Sequence, residues 1–164
     1  MMRQLLVGHF GYDDSFDPVA GLDEQITSLQ LVASKQTLDY GIGHALSSLN
    51  NIGIFPTEMG IDLLVLAAHV HAADTRISRV EQSQDSWTRE IRLIVPVSNP
   101  SRWYSAAPTL KNSLDFLTGD RWTVDFRPRP ERFNTVVKEA AKPTLMPRAQ
   151  SYRDLTHLPV PTGK

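Results

Sequence analysis

Apolar residues are densest between Pro56 and Arg79, where only Gly60, Asp62, His69 and His71 interrupt the run from Met59 to Ala73. Apolar side chains fall on nearly every side, so the pattern predicts a central, mostly buried helix. Thr57 is its expected N-cap, with Glu58 next to the positive end of the helix dipole. Downstream the period changes to two. Trp87, Ile91, Leu93, Val95 and Val97 fall on one face and Thr88, Glu90 and Arg92 on the other. Arg89 breaks the apolar face near one end, from which its head is expected to reach water. Pro96, unable to donate to a ladder, places the strand's end or a sheet edge there.

Ser98 to Arg102 reads as a turn. Pro108 suits the first turn of a helix carrying Leu110, Leu114 and Leu117 inward, closed by Thr118-Gly119-Asp120. Arg121 to Arg127 alternates again, with Trp122, Val124 and Phe126 inward and Thr123, Asp125 and Arg127 outward. Strand, helix and strand with short connections suggest a crossover, right-handed if the strands are parallel neighbours.

The N-terminal part is less patterned. Leu5 to Phe10 reads as a short strand and residues 11 to 25 as an acidic loop. Leu29 to Ile42 reads as two strands around a tight turn at Ser34-Lys35, and Gly43 to Asn50 as a short helix with Ala45, Leu46 and Leu49 inward. After Phe126, prolines punctuate a polar stretch in which 133–141 is a further candidate helix. The fold class is therefore α/β or α+β: a small sheet, a buried central helix, a strand-helix-strand unit and a Pro-rich C-terminal tail. Residues 1–130 are expected to form one globular domain and 131–164 a tail or linker, partly disordered.

Composition narrows the chemistry. The chain has 164 residues, a formal net charge of -1 and no cysteine. Bulk attraction to nucleic acid or membrane is not expected, and thiolate chemistry and cysteine-ligated zinc are excluded. No signal peptide or membrane span is read from the sequence, which points to a cytoplasmic protein.

Asp62, His69 and Arg76 are seven apart and share one side of the central helix, with His71 and Asp74 as an i, i+3 pair. The functional reading is a carboxylate-histidine site; the plain one is the helix's least buried edge, favoured because no nucleophile or third group accompanies it. His69 and His71 point about 200° apart on a helix and cannot share a metal ion. Gly41-Ile-Gly43-His-Ala-Leu46 fails as a dinucleotide fingerprint because Leu46 stands where a small residue is required. Arg121, Arg127, Arg129 and Arg132 interleave with Trp122, Phe126 and Phe133. The alternation favours aromatics in the core and arginines in solvent over a nucleic-acid surface. Asp13, Asp14, Asp17, Asp23 and Glu24 lack the spacing of a calcium loop.

Three stretches carry a family resemblance: Asp62-Leu-Leu-Val-Leu-Ala-Ala-His-Val-His-Ala-Ala-Asp74-Thr-Arg76, Trp87-Thr-Arg89-Glu-Ile-Arg92-Leu-Ile-Val-Pro-Val, and Leu114-Asp-Phe-Leu-Thr-Gly-Asp120-Arg-Trp122-Thr-Val-Asp-Phe126-Arg-Pro-Arg. In this order they resemble the N-terminal region of the QueC-like (7-cyano-7-deazaguanine synthase-like) proteins of bacterial Qat anti-phage defence systems. The resemblance covers roughly 55–130. In that family the region leads into an ATP-pyrophosphatase domain announced by a Ser-Gly-Gly-x-Asp-Ser loop, and no Ser-Gly-Gly occurs in this sequence. The resemblance thus implies a non-catalytic module that docks a protein partner or such a domain, without cofactor or metal. Asp62, His69, Asp74, Arg76, Trp87, Arg89, Arg92, Trp103, Asp120 and Trp122 are the candidates for structural or docking roles. The alternatives are a stand-alone adaptor of a defence operon and an enzyme using an unrecognised site at His69, Asp62 and Asp74.

Overall fold

The computed structural model describes residues 3–10, 14–32, 41–79 and 87–130. Its period-two segments pair into one parallel sheet. Along the chain the elements are β1 (Arg3–His9), β2 (Glu24–Gln30), α1 (Ile42–Asn51), α2 (Glu58–Arg76), β3 (Glu90–Val97), α3 (Pro100–Thr118) and β4 (Arg121–Pro128). The strand order is β2-β1-β3-β4. Leu5 faces Ile26 on one side and Arg92 on the other, and Leu93 faces Val124.

The order and the handedness rule together decide which face each connection covers. The crossovers from β2 to β3 and from β3 to β4 run in the same direction across the sheet. If both are right-handed they lie on the same face. The helices do share a face. Leu46, Ile61, Val65 and Trp103 join one core with Leu6, Leu93, Val95, Trp122, Val124 and Phe126. The step from β1 to β2 runs the opposite way and belongs on the other face. There Phe16 and Ala20, from the loop that follows β1, pack on Leu5, Val7 and Ile94. The α/β class expected from the sequence is thus realised as a doubly wound order in which, among the described residues, the second layer is a loop.

Helix ends follow local chemistry. Thr57 caps α2, its side-chain oxygen accepting from the Gly60 N–H at 3.3 Å. Gly119 closes α3 in the left-handed region at φ 72°. α2 buries Ile61, Val65, Leu66, Ala68, Ala72 and Ala73, while Leu63 remains 55% exposed.

Other expectations are corrected. The segment from Leu29 to Ile42 is not a pair of strands. β2 begins at Glu24 and pairs in parallel with β1, and Ile42 opens α1; the expected turn at Ser34-Lys35 lies outside the described residues. α3 starts eight residues before the expected site. Asn99 caps it, Pro100 takes the first turn, and Pro108 lies inside, where its missing N–H leaves the Tyr104 carbonyl without a helical donor. Leu117 is 75% exposed instead of inward, and Trp87 precedes β3 and is 69% exposed. Pro96 sits inside a central strand. The β1–β3 ladder has already ended at Val7 and Ile94, so no donor is missed. Arg89 and Arg127, expected in solvent, are buried. The tail from 131 onward, with Arg132 and Phe133, lies outside the described residues.

One glycine is required by packing. A Cβ on Gly8 would come 2.2 Å from His69 Nε2 and 2.5 Å from its Cε1. Both residues are buried, so neither can move aside cheaply. Gly8→Ala should therefore lower stability in urea by about 2 kcal/mol, and adding His69→Ala should recover part of that loss. A Gly8→Ala chain as stable as the parent would show that the ring does not press on β1.

Candidate functional site: charges buried at the two ends of the sheet

Strand ends are where loops and helix termini gather polar groups, and two clusters form there. The first lies where β3 and β4 begin. Asp120, the residue before β4, has a fully buried side chain, as does Arg89, the residue before β3, at 1% exposure. Arg89 Nη2 donates to Asp120 Oδ2 at 2.6 Å and Arg89 Nε to the same oxygen at 3.2 Å, while the Arg89 N–H donates to Oδ1 at 3.0 Å. The same guanidinium reaches α2, donating to Asp74 Oδ1 at 2.9 Å and to the Ile77 carbonyl at 2.6 Å. Arg79 adds a two-pronged contact to Asp120 at 2.9 and 3.0 Å and donates to the Trp87 and Thr118 carbonyls. Burial alone would raise the Asp120 carboxyl, but the bonds and charges of Arg89 and Arg79 hold it below the usual carboxylate range. Burial works against the Arg89 charge, and Asp120 and Asp74 override it, so its guanidinium stays charged.

The second cluster lies beyond the ends of β3 and β4. Asp62, 0% exposed, accepts from the Ser98 N–H with both oxygens at 3.0 Å, from Ser98 Oγ at 2.6 Å and from the Trp103 indole N–H at 3.0 Å. Arg129 Nη1 pairs with it at 3.3 Å, and Arg129 Nη2 bonds Glu58. Asp62 thus sits near the start of α3, held by Ser98 before the Asn99 cap and by Trp103 in the helix. Nearby, Arg127 Nη2 donates to the Gly8 carbonyl at 2.7 Å and bonds Asp14, and its guanidinium lies 4.5 Å over the Phe16 ring. Strand order reverses between β1 and β3, the usual ligand crevice of such sheets. Here Arg127 of β4 bonds the Gly8 carbonyl near the end of β1 and Asp14 of the loop that follows it.

His69 stands apart from both. Its Nδ1 donates to the Val65 carbonyl at 2.7 Å, and its Nε2 has no partner among the described residues. Burial, opposed by that bond and assisted by the charge of Arg127, lowers its pKa to about 4. The ring is neutral at pH 7. Asp62 and Asp74 are about 18 Å apart along α2, so Asp62, His69 and Asp74 do not converge on one point. Neither is their line the helix's least buried edge, since Asp62 and His69 are wholly buried and only Arg76 is exposed.

The remaining candidates scatter. Trp122 is buried with its indole N–H on Thr118 Oγ1 at 2.8 Å. Arg92 lies on the sheet face without helices, donating to Asp125 at 2.7 Å and Glu24 at 3.2 Å, and these partners raise its pKa above the ordinary value. On the same face Glu90 takes Arg3 at 3.3 Å and Arg121 at 3.5 Å. An open depression of ≈ 500 Å³ there is bordered by Arg3, Leu22, Glu24, Glu90 and Arg92. Its cations already face carboxylates, so it offers no uncommitted charge to a ligand. Sequence reasoning missed Asp14, Arg79, Ser98 and the structural roles of Arg127 and Arg129. Only Ser98 carried a signal, as a hydroxyl residue between a strand and the Asn-Pro that starts a helix.

Comparison with known proteins adds little to this geometry. No family model matches the chain, and no solved structure matches it. A stretch of 27 residues, 16% of the chain, is 93% identical to the curli production assembly/transport component CsgG of Citrobacter koseri. It is 89% identical to the components of the same description from Salmonella typhimurium and Escherichia coli. The chain spans about a tenth of the length of these curated relatives. So short a match shows no family and does not account for the sheet and helices.

His69 gives a pH signature. Folded His69 takes up a proton only near pH 4, whereas the unfolded ring does so near 6.5. The unfolded state therefore binds more protons between these values, and stability falls as pH falls through that window. Urea unfolding should show a loss of about 3 kcal/mol from pH 7 to 4, and His69→Leu should flatten the curve there. A parent whose stability is level across the window would contradict the neutral, buried assignment.

Proposed function

We propose that this chain is a non-catalytic docking module, the N-terminal region of a QueC-like protein of a bacterial Qat anti-phage defence system, which works in the cytoplasm by holding a protein partner or an ATP-pyrophosphatase domain. One observation carries the reading. Each of the three stretches that resemble the family supplies one member of a single buried cluster: Asp74 from the first, Arg89 from the second and Asp120 from the third. What the resemblance shares is thus a framework of folding contacts, consistent with a module without chemistry of its own. The buried charges support the same reading. Asp62, Asp120 and Arg89 are each bonded within the fold, which leaves them no role as general acid, base or nucleophile.

The same framework presents an apolar corner. Phe116 is 88% exposed, Leu117 75% and Trp87 69%, and a Cβ on Gly119 would lie 3.8 Å from Trp87 Nε1. Arg79 holds the Trp87 and Thr118 carbonyls together beneath it. Exposed aromatic residues on a rigid base are the usual anchors of a protein interface, and this corner is where the module docks its partner.

The test is calorimetric. Titrating the chain with a separately purified ATP-pyrophosphatase domain of a QueC-like defence protein should give saturable binding. Trp87→Ala and Phe116→Ala should each weaken it tenfold or more, while the chain alone gives no heat with magnesium ATP. ATP binding by the chain alone, or no interaction with the domain, would overturn the proposal.

A further inference from the structure

The two faces of the sheet are covered to different depths. On the helix side, α2 alone buries eight residues. On the other side, Leu5, Val7 and Ile94 lie beneath Phe16 and Ala20 of the loop after β1. Leu5 and Val7 are 0% exposed and Ile94 7%. Yet no residue from 14 to 23 is buried as a whole, and the side chains of Val19 and Leu22 stand in solvent. Among the described residues, two partly buried side chains seal an apolar centre in the middle of the sheet.

The fastening is as sparse as the cover. Asp14 accepts from the Phe10 N–H at 2.9 Å and from the Phe16 N–H at 3.4 Å. At the other end Glu24 Oε2 accepts from the Gly21 N–H at 2.8 Å, and the Glu24 N–H donates to the Gly21 carbonyl at 3.1 Å. These bonds stay within the loop and its flanks. Among the described residues, one side chain from elsewhere in the fold bonds residues 14–22. It is Arg127 of β4, which bonds Asp14 through Nη2 and lies 4.5 Å from the centre of the Phe16 ring. That clasp is incomplete, because Arg127 Nε is buried and donates to no described residue. A buried donor without a partner costs free energy that contact with water returns. Lifting Asp14 and Phe16 off the guanidinium admits that water.

Few buried apolar contacts and a single cross-strand fastening are the marks of a segment that opens well below the free energy of global unfolding. We propose that residues 14–22 form a strap, clasped by Arg127, that lifts from the sheet while the strands and the helix layer stay folded, and that it thereby gates access to Leu5, Val7 and Ile94. The strap opens from its Asp14 end. Its other end stays tied, since the Arg3 N–H donates to the Asp23 carbonyl at 2.7 Å and Glu24 opens β2 beside Arg3, which leaves the hinge at the Gly21–Glu24 turn. This inference is independent of the proposed function, because it concerns the face without helices and none of the residues of the apolar corner.

The chain has no cysteine, so one introduced thiol reports on one place. Val7 and Val95 are both 0% exposed, Val7 beneath the strap and Val95 beneath the helices, and make a matched pair. A buried thiol reacts with a water-soluble aromatic disulfide only when its cover opens. Without denaturant, Val7→Cys should be labelled about tenfold faster than Val95→Cys or more. In urea below the unfolding transition the Val7→Cys rate should rise little, because little surface is exposed, while the Val95→Cys rate climbs with the full slope of unfolding. Adding Arg127→Met or Phe16→Ala to Val7→Cys should speed its labelling about tenfold, and Phe16→Ala reads the clasp without touching a buried charge. Equal rates and equal urea slopes at the two positions overturn the proposal, because the face then opens only with the whole molecule. So does a Val7→Cys rate that neither added substitution changes.

Discussion

Arg89 carries a guanidinium into the interior at the point where α2 ends and β3 and β4 begin, and most of that end of the molecule is arranged to receive it. A cation with 1% of its side chain exposed has lost its water and needs a full set of acceptors in return. Asp120 Oδ2 accepts from Nε and Nη2, Asp74 Oδ1 from Nη2 and the Ile77 carbonyl from Nη1. These acceptors come from the residue before β4 and from the last turn of α2 and its C-cap. Satisfying one side chain therefore fixes the relative position of three elements. Breaking such a set leaves an unpaired buried charge, which is where the energetic consequence lies; the intact set itself contributes little net stability.

The opposite end of the sheet is organised the same way with the signs exchanged. There the central charge is the Asp62 carboxylate, the donors are the Ser98 N–H and hydroxyl and the Trp103 indole, and the Arg129 guanidinium is its ion-pair partner. A doubly wound sheet normally keeps this end open for a ligand. In this chain Asp62 of α2 bonds Ser98 and Trp103 near the start of α3, and Arg127 of β4 bonds Asp14 of the loop after β1. The molecule's polar interior is thereby spent on its own geometry.

The sequence disclosed the parts governed by local rules. Thr57 before Glu58 marked a helix start because a hydroxyl must satisfy an early N–H, and that bond is present. The alternation of Trp122, Val124 and Phe126 marked β4 because one face is buried against helices. Pro108 misled because proline favours a first helical turn, yet Pro100 already held that position and the exposed helix tolerated a second proline. Arg89, Arg127 and Arg129 were read as solvent-facing because an arginine's burial depends on acceptors far away in the chain, such as Asp120 or Gly8, which periodicity does not encode. β2 was misplaced because its strand alternates weakly, with only Leu29 buried among its seven residues.

The central claim, that the buried charges fasten elements together, is tested most directly by a double-mutant cycle on Arg89 and Asp120 in urea unfolding. Arg89→Met and Asp120→Leu should each cost about 3–5 kcal/mol, because each strands the other charge in the interior. The double variant should lose scarcely more than either single one, or less, giving a large coupling energy. Small and additive losses would contradict the account, since they would mean that neither charge depends on the other and that the three elements are held by something else.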